Sequence, residues 1–301
     1  MNRNLRQTVF PLLAALIWGT AFSAQSVAAE HLGPLTFNTA RNVIAFLALL
    51  CMDLAASRLI PGRRNMFRLS AAEKKQLLSG GAVCGVVLTL AANIQQLGIA
   101  GTSAGKAGFI TAMYIVIVPL FGLLQKKRPT PLLWASVGIA VAGLYFLCVT
   151  DSFRIGVGDF FVLICALLYS VHILVIDHYS AELDGIQMSC LQFFFAMLLS
   201  GLGTAIWEQP TATALSLSVI PILYCGLFSS AGGYTLQILA QKDANPTVVS
   251  LLLSLESVFA VLGGVVLLHE TMGGREILGC LLMLTAVLLA QLPAAAKPTK
   301  T

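Results

Sequence analysis

The sequence predicts an all-α membrane protein of about ten transmembrane helices, arranged as two inverted repeats of five helices each. Of the 301 residues, 57% are apolar and only 10% are charged. Ordinary soluble domains carry about 25% charged residues, because their surface must be covered with polar groups. Long apolar runs recur along the chain, and the second half repeats the pattern of the first. These observations together predict the fold class.

Each apolar run is long enough to cross a bilayer, since about 20 helical residues span about 30 Å of hydrocarbon. The ten runs are residues 8–29, 34–56, 74–98, 103–124, 131–149, 157–177, 186–207, 215–239, 246–268 and 275–292. Pro34 is suited to the first turn of the second helix, and Ser70 with Glu73 forms a capping box before the third. Pro119 predicts a kink inside the fourth.

Basic residues predict the orientation. With the amino terminus inside, the inner connectors and both termini hold 14 Lys and Arg residues, and the outer connectors hold two. Cytoplasmic loops of membrane proteins are enriched in these residues. We therefore expect both termini on the cytoplasmic side of a bacterial inner membrane. The same placement explains the net charge of +5 without a nucleic-acid partner.

The two halves, residues 1–150 and 151–301, are expected to form one repeat each. An offset of 151 aligns Trp18 with Tyr169, and the offset falls to 141–143 beyond the long basic connector at 57–73. Each half has an odd number of spans, so the halves must be inverted relative to each other. Inverted repeats are typical of alternating-access transporters.

Three groups of residues resemble one family of carriers. The first group is residues 18–22, Pro34 and residues 41–45. The second is residues 103–109, Tyr114 and Pro119. The third is residues 255–260 and Glu270. At this spacing they resemble EamA-type carriers of the drug/metabolite transporter superfamily, over residues 8–292. The resemblance implies a ten-helix secondary carrier with a central cavity. It also implies export of a small metabolite, with an amino acid, an amine or a related amphipathic compound as our leading expectation. Ser257 and Lys106 depart from the family's pattern, which has proline and a small or amide residue there.

Two polar stripes predict the walls of the cavity. Thr89, Asn93 and Gln96 lie on one face of the third helix, and Tyr234 and Gln237 lie on the equivalent eighth helix. Amides that face lipid would leave hydrogen bonds unmade, so both stripes must face protein or water. Hydrogen bonding between helices is the alternative interpretation.

Aromatic side chains are expected to add walls suited to an amphipathic solute or a cation. Packing without ligand contact is the alternative for each of them. The predicted substrate-binding residues are Trp18, Asn93, Gln96, Lys106, Tyr114, Tyr169, Tyr234 and Gln237.

Charged residues inside a bilayer are costly and suggest function. Glu256 lies near the middle of the ninth span. It is a candidate for proton coupling or for binding a cationic group, and a structural carboxylate is the alternative. Lys106 either meets a substrate carboxylate or Glu256, or extends to the membrane surface. Arg41 is interpreted as a tie between helices in preference to a ligand contact.

Other function classes have less support. The chain has no GxxxxGK[ST] motif, so we expect no ATP hydrolysis. Its four His and seven Cys residues are scattered, so we expect no metal and no cofactor. A membrane-embedded enzyme or carrier acting on a lipid-linked substrate is the alternative function. Such an enzyme would need a catalytic cluster, and the candidates are Asp177, His178, Glu182 and Asp184. A solvated loop explains the presence of these polar residues more simply. The oligomeric state, monomer or homodimer, stays open.

Overall fold

The protein is helical throughout the computed structural model, which describes residues 3–102, 104–124, 129–148, 156–242, 244–268 and 273–292. The helices are α1 (Arg3–Ala29), α2 (Pro34–Leu59), α3 (Ala71–Ile99), α4 (Ala104–Thr111), α5 (Tyr114–Leu124), α6 (Pro131–Cys148), α7 (Val157–Ser180), α8 (Gly185–Trp207), α9 (Ala212–Leu217), α10 (Val219–Tyr224), α11 (Thr235–Gln241), α12 (Pro246–Leu253), α13 (Glu256–Leu268) and α14 (Gly274–Gln291). A 3-10 turn at Met66–Arg68 and a π-helix at Cys225–Tyr234 complete the order.

Helices occupy all ten predicted spans, and in the described part of the chain seven are long and apolar enough to cross a membrane. The other three, Pro131–Phe146, Pro246–Leu262 and Ile277–Ala290, are apolar but shorter, and each adjoins residues whose side chains lie outside the description. The predicted count of ten therefore stays unconfirmed. The chain is a multi-pass membrane protein.

Two of the predicted helix starts are confirmed. α2 begins at Pro34, whose missing N–H is no loss in a first turn. At the start of α3, the Ser70 hydroxyl accepts a hydrogen bond of 3.3 Å from the Glu73 N–H. The Glu73 carboxylate in turn accepts one of 2.7 Å from the Ser70 N–H, which completes the capping box.

The most extensive helix contacts join the two halves and come in matched sets. α2 lies along α8, and α6 lies along α14. α3 packs on α7 and α8, while the π-helix packs on α1 and α2, the equivalent helices of the first half. α1 is equivalent to α7, and α13 belongs to the span that is equivalent to α4 and α5. The contact of α1 with α13 therefore matches the contacts of α7 with α4 and α5. This exchange pattern is what a two-fold relation between repeats produces, and it is consistent with the two-repeat architecture. The boundary at residue 150 stays a prediction.

The predicted fourth and ninth spans are each interrupted at equivalent positions. α4 ends at Thr111 and α5 begins at Tyr114. In the second half, α12 ends at Leu253 and α13 begins at Glu256. Both interruptions therefore place a new helix start deep inside the bundle.

The two interruptions share one hydrogen-bonding pattern. The N–H of Met113 donates to the carbonyl of Ile110 at 3.2 Å, and the N–H of Leu255 donates to the carbonyl of Leu252 at 3.3 Å. These bonds span three residues, as in a 3-10 helix, which is a frequent hinge conformation. Pro119 lies inside α5, so the interruption precedes the position at which proline predicts a kink.

Carboxylates fasten both ends of the α2–α8 pair. Asp53, fully buried near the end of α2, accepts hydrogen bonds from Gln187 Nε2 at 3.0 Å and from the Met66 N–H at 2.8 Å. Glu208, directly after α8, accepts bonds from the N–H of Thr36 at 2.7 Å and from its hydroxyl at 2.6 Å. Thr36 and Gln187 are equivalent positions at the repeat offset of 151. One partner of each carboxylate therefore occupies an equivalent position, although Asp53 and Glu208 themselves do not.

Candidate functional site

A cavity lies at the centre of the bundle, where the two interrupted helices meet α1, α2, α3, α7, the π-helix and α11. Its lining residues are Trp18, Ala21, Phe22, Gln25, Arg41, Gln95, Thr111, Tyr114, Tyr169, Ile173, Ser229, Tyr234, Gln237, Leu253 and Glu256. The cavity leaves about 40 Å³ for the centres of water-sized molecules, which is room for on the order of three waters.

Trp18 forms an aromatic wall against the π-helix. Its indole Nε1 donates a hydrogen bond of 3.1 Å to the carbonyl of Ser229. Its ring centroid lies 4.8 Å from that of Tyr234. A Cβ atom at Gly233 would lie 2.4 Å from the indole nitrogen. The glycine therefore allows this close approach, and the π-helix supplies the carbonyl that orients the tryptophan.

A chain of hydrogen bonds crosses the cavity wall. The Tyr234 hydroxyl donates to the Tyr169 hydroxyl at 3.1 Å, which donates to Gln95 Oε1 at 3.1 Å. Gln95 Nε2 then donates to the Thr111 hydroxyl at 3.2 Å. The chain links the π-helix, α7, α3 and α4, so it fixes four elements relative to one another.

Glu256 and Tyr114 meet at the two helix interruptions. The Tyr114 hydroxyl donates a hydrogen bond of 3.1 Å to Glu256 Oε1, and the glutamate is only 3% exposed. As the first residue of α13, Glu256 lies at the positive end of a helix dipole, which favours a carboxylate. The ion pairs among the described residues lie at Arg63 and Arg64, so no described cation pairs with Glu256.

Arg41 is buried as well, at 2% exposure. Its Nε donates to the Ser230 hydroxyl at 3.1 Å, and its Nη1 donates to Gln25 Oε1 at 3.4 Å. It ties α2 to α1 and to the π-helix, as expected from the sequence, and it also lines the cavity. Its Cζ lies 5.7 Å from the centroid of the Phe37 ring.

Gln237 presents an unused acceptor to the cavity. The residue is 2% exposed, and its Oε1 has no hydrogen-bond partner among the residues that the structure describes. A buried amide oxygen without a partner is costly, so a bound molecule or water that donates a hydrogen bond would stabilise it.

Asn93 and Gln96 lie beside the cavity and not on its lining. Asn93 Nδ2 donates to the Ser200 hydroxyl at 2.9 Å, and Asn93 Oδ1 accepts from Asn38 at 3.1 Å. Gln96 Nε2 donates to the backbone carbonyl of Gln25 at 3.0 Å. These contacts match the interpretation of the stripe as hydrogen bonding between helices. Substrate contact by Asn93 and Gln96 stays a prediction.

Sequence reasoning did not assign Gln25 or Gln95 to the cavity. A signal for Gln25 was present, because Trp18, Phe22 and Gln25 follow the spacing i, i+4, i+7 of one helix face. No comparable signal distinguishes Gln95 from its neighbour. The side chain of Lys106 lies outside the described residues, so its predicted substrate contact stays a prediction.

Two residues of the acidic cluster considered for the alternative function, Asp184 and Glu182, make structural contacts. Asp184 caps α8 by accepting from the Ile186 N–H at 3.0 Å, and it pairs with Arg63 at 2.9 Å. Glu182 accepts a hydrogen bond from Gln76 of α3. Within the described ranges, no group of three or more His, Cys, Asp or Glu side chains is placed to hold a metal ion.

Comparisons with known proteins agree with this architecture. The sequence pattern of the EamA-like transporter family matches residues 8–149 and again residues 156–292. An uncharacterized transporter of Archaeoglobus fulgidus is 30% identical over 281 residues, which are 93% of this chain and 84% of that protein. An uncharacterized transporter of Clostridium kluyveri is 20% identical over 221 residues, which are 68% of this chain and 71% of that protein.

A solved structure shares the fold. A crystal structure of another protein superposes with a TM-score of 0.74 at 17% sequence identity, and the match covers 95% of this chain and 96% of the other. The double family match, the transporter relatives and the apolar helices lead to one conclusion. The chain belongs to the EamA-like transporter family and is a membrane transporter.

Proposed function

We propose that the protein is a secondary active transporter that exports a small amphipathic metabolite, an amino acid, an amine or a related compound. The cavity carries this proposal. Its aromatic and polar side chains would hold a molecule that is partly apolar and partly polar. It is lined from both halves of the chain, so relative movement of the halves would change its shape.

Alternating access is supported by the positions of the two interruptions. Thr111 and Tyr114 flank one interruption, Leu253 and Glu256 flank the other, and all four line the cavity. Bending at these points would open the cavity without unfolding a long helix. The fastened α2–α8 pair would then act as the fixed part of the bundle.

The proposed orientation in the membrane follows from the charge distribution. The excess of Lys and Arg on one set of connectors supports a bacterial inner membrane with both termini in the cytoplasm. Export from the cytoplasm is the direction implied by the sequence resemblance. Protons are the proposed coupling ion.

Glu256 is the proposed coupling residue, because it is the one carboxylate among the lining residues. Tyr114 can donate to the ionised carboxylate or accept from the protonated one, so the contact survives either state. A purely structural carboxylate would also accept this bond. A transport measurement distinguishes the two roles.

The test uses proteoliposomes loaded with a mixed metabolite extract, with efflux followed by mass spectrometry in the presence and absence of a pH gradient. We expect selective loss of a few related compounds, driven by the gradient. Glu256→Gln should lose the pH-driven component and retain ligand binding, whereas Glu30→Gln, at an exposed position, should behave as the wild type.

Three results would contradict these proposals. Unchanged pH dependence in Glu256→Gln would remove the coupling role of this residue. No selective efflux under any gradient would contradict metabolite transport, and efflux confined to lipid-linked compounds would favour the alternative function.

A further inference from the structure

We infer that Arg41 binds a carboxylate of the transported molecule and thereby determines the specificity of the cavity. The inference rests on the proposed transport function and adds to it the chemical group that the substrate must carry. It also extends the role of Arg41, which the sequence alone indicates only as a tie between helices.

Arg41 makes no ion pair with any carboxylate that the structure describes, although the carboxylate of Glu256 lines the same cavity. A guanidinium is charged at every physiological pH, and this one is almost completely buried. Burying an unpaired charge is strongly unfavourable. The ion pairs found in the described ranges are made by Arg63 and Arg64, and no described carboxylate lies within 4.0 Å of Arg41. A substrate anion would supply the missing charge.

The contacts of Arg41 orient it and leave donors free. A guanidinium has five N–H donors, and the bonds to Ser230 and Gln25 use two of them. Both acceptors are neutral. A neutral side chain with two donors would make equivalent bonds without the cost of burying a charge, so a structural tie alone does not explain an arginine. The remaining donors can hold the two oxygens of a carboxylate.

A second group in the same cavity lacks a partner. Gln237 Oε1 accepts no hydrogen bond from any residue that the structure describes. An amino group of the substrate would donate one. The ring of Trp18 lies beside Tyr234 on the same lining and offers a face for an apolar or cationic part. An unpaired cation, an unused acceptor and an aromatic face together fit an amino acid or a closely related aminocarboxylate.

The experiment uses the extract-loaded proteoliposomes, with the pH gradient held constant. The test variants are Arg41→Gln, which removes the charge, and Arg41→Lys, which keeps it. Arg58→Gln is a matched control, because Arg58 lies on the same helix and is exposed. Every compound exported by the wild type is then also loaded as its methyl ester, which keeps the rest of the molecule and removes the negative charge.

We expect every exported compound to carry a carboxylate and its methyl ester to be retained. Arg41→Gln should slow export about 10- to 100-fold, the effect of losing hydrogen bonds between charged groups. Arg41→Lys keeps the charge but loses the planar guanidinium group. Its rate of export should therefore fall between those of the wild type and Arg41→Gln. Arg58→Gln should match the wild type.

Export of compounds without a carboxylate, or of methyl esters at the rate of the acids, would overturn the inference. So would a wild-type rate in Arg41→Gln. The ester comparison needs no variant, so it tests the inference even if Arg41→Gln fails to fold. Absence of any selective efflux from wild-type protein is a different result, because it contradicts transport itself.

Discussion

The hydroxyl of Tyr114 donates a hydrogen bond of 3.1 Å to Glu256 Oε1, and the two residues are 142 positions apart in the sequence. That separation is the repeat offset in this part of the chain, and each residue is the first of a helix that follows an interruption. The bond therefore connects equivalent points of the two halves. Any movement that separates the interrupted helices must break or lengthen it.

Replacing Tyr114 by Phe keeps the ring and removes the donor to Glu256. We expect the free energy of unfolding to fall by about 1–3 kcal/mol, because a buried carboxylate loses its hydrogen bond. Thermal unfolding of the detergent-solubilised protein measures the change. Tyr145→Phe is the control, since that side chain is 45% exposed. Equal stability of the two variants would show that the bond to Glu256 contributes nothing to the resting conformation.

Gly19 permits close packing of α1 on α13. A Cβ atom there would lie 2.5 Å from the carbonyl oxygen of Glu256 and 2.8 Å from the N–H nitrogen of Ala260. Gly19→Ala should therefore force the helices apart and destabilise the protein by about 1–3 kcal/mol. Gly138→Ala meets no atom within 4 Å and should be neutral or slightly stabilising, since alanine is the better helix former. The same melting experiment compares both, and similar midpoints would refute the packing argument.

Trp18 should report ligand binding, because it is the one tryptophan on the cavity lining. In a variant with Trp134→Phe and Trp207→Phe, the remaining fluorescence comes from Trp18. We expect a transported compound to change its intensity or emission wavelength. Adding Trp18→Phe should abolish the signal, and a response that persisted would place the ligand elsewhere.

Asp53 should control the order of the connector between α2 and α3. It holds the N–H of Met66, and its partner Gln187 also donates to the carbonyl of Arg64 at 2.9 Å. Asp53→Ala should therefore speed hydrogen exchange over residues 60–69. Arg64→Gln removes an exposed ion pair with Glu73 and should change exchange little. If exchange over residues 60–69 were faster in Arg64→Gln than in Asp53→Ala, surface charges and not Asp53 would order the connector.

The sequence predicted the positions of the long helices well. The predicted run at 157–177 corresponds to α7, Val157–Ser180, because a long apolar segment in a bilayer has few structures other than a helix. The interruptions and the π-helix were not predicted. Hydropathy follows the apolar face of a helix, but it carries no information on whether an N–H bonds to the third, fourth or fifth preceding carbonyl.

The sequence predicted part of the cavity lining, and the roles of these residues in transport stay predictions. The structure places six of the nine candidates on the cavity: Trp18, Tyr114, Tyr169, Tyr234, Gln237 and Glu256. On α3 the lining residue is Gln95, not Gln96. Neighbouring residues point about 100° apart on a helix, and both amides are buried. Which one faces the cavity depends on the rotation of α3 against α7, and contacts set that rotation.

The pairing of helices between halves has a consequence for biosynthesis. Arg41 donates a hydrogen bond to the hydroxyl of Ser230, which follows 189 residues later in the chain. At a synthesis rate of about 5–20 residues per second, that interval is about 10 to 40 s. For that time the nascent α2 carries a charged side chain that has Gln25 and Phe37 available but not yet Ser230. The hydrogen bond between Arg41 and Ser230 can therefore form only after the π-helix has been made.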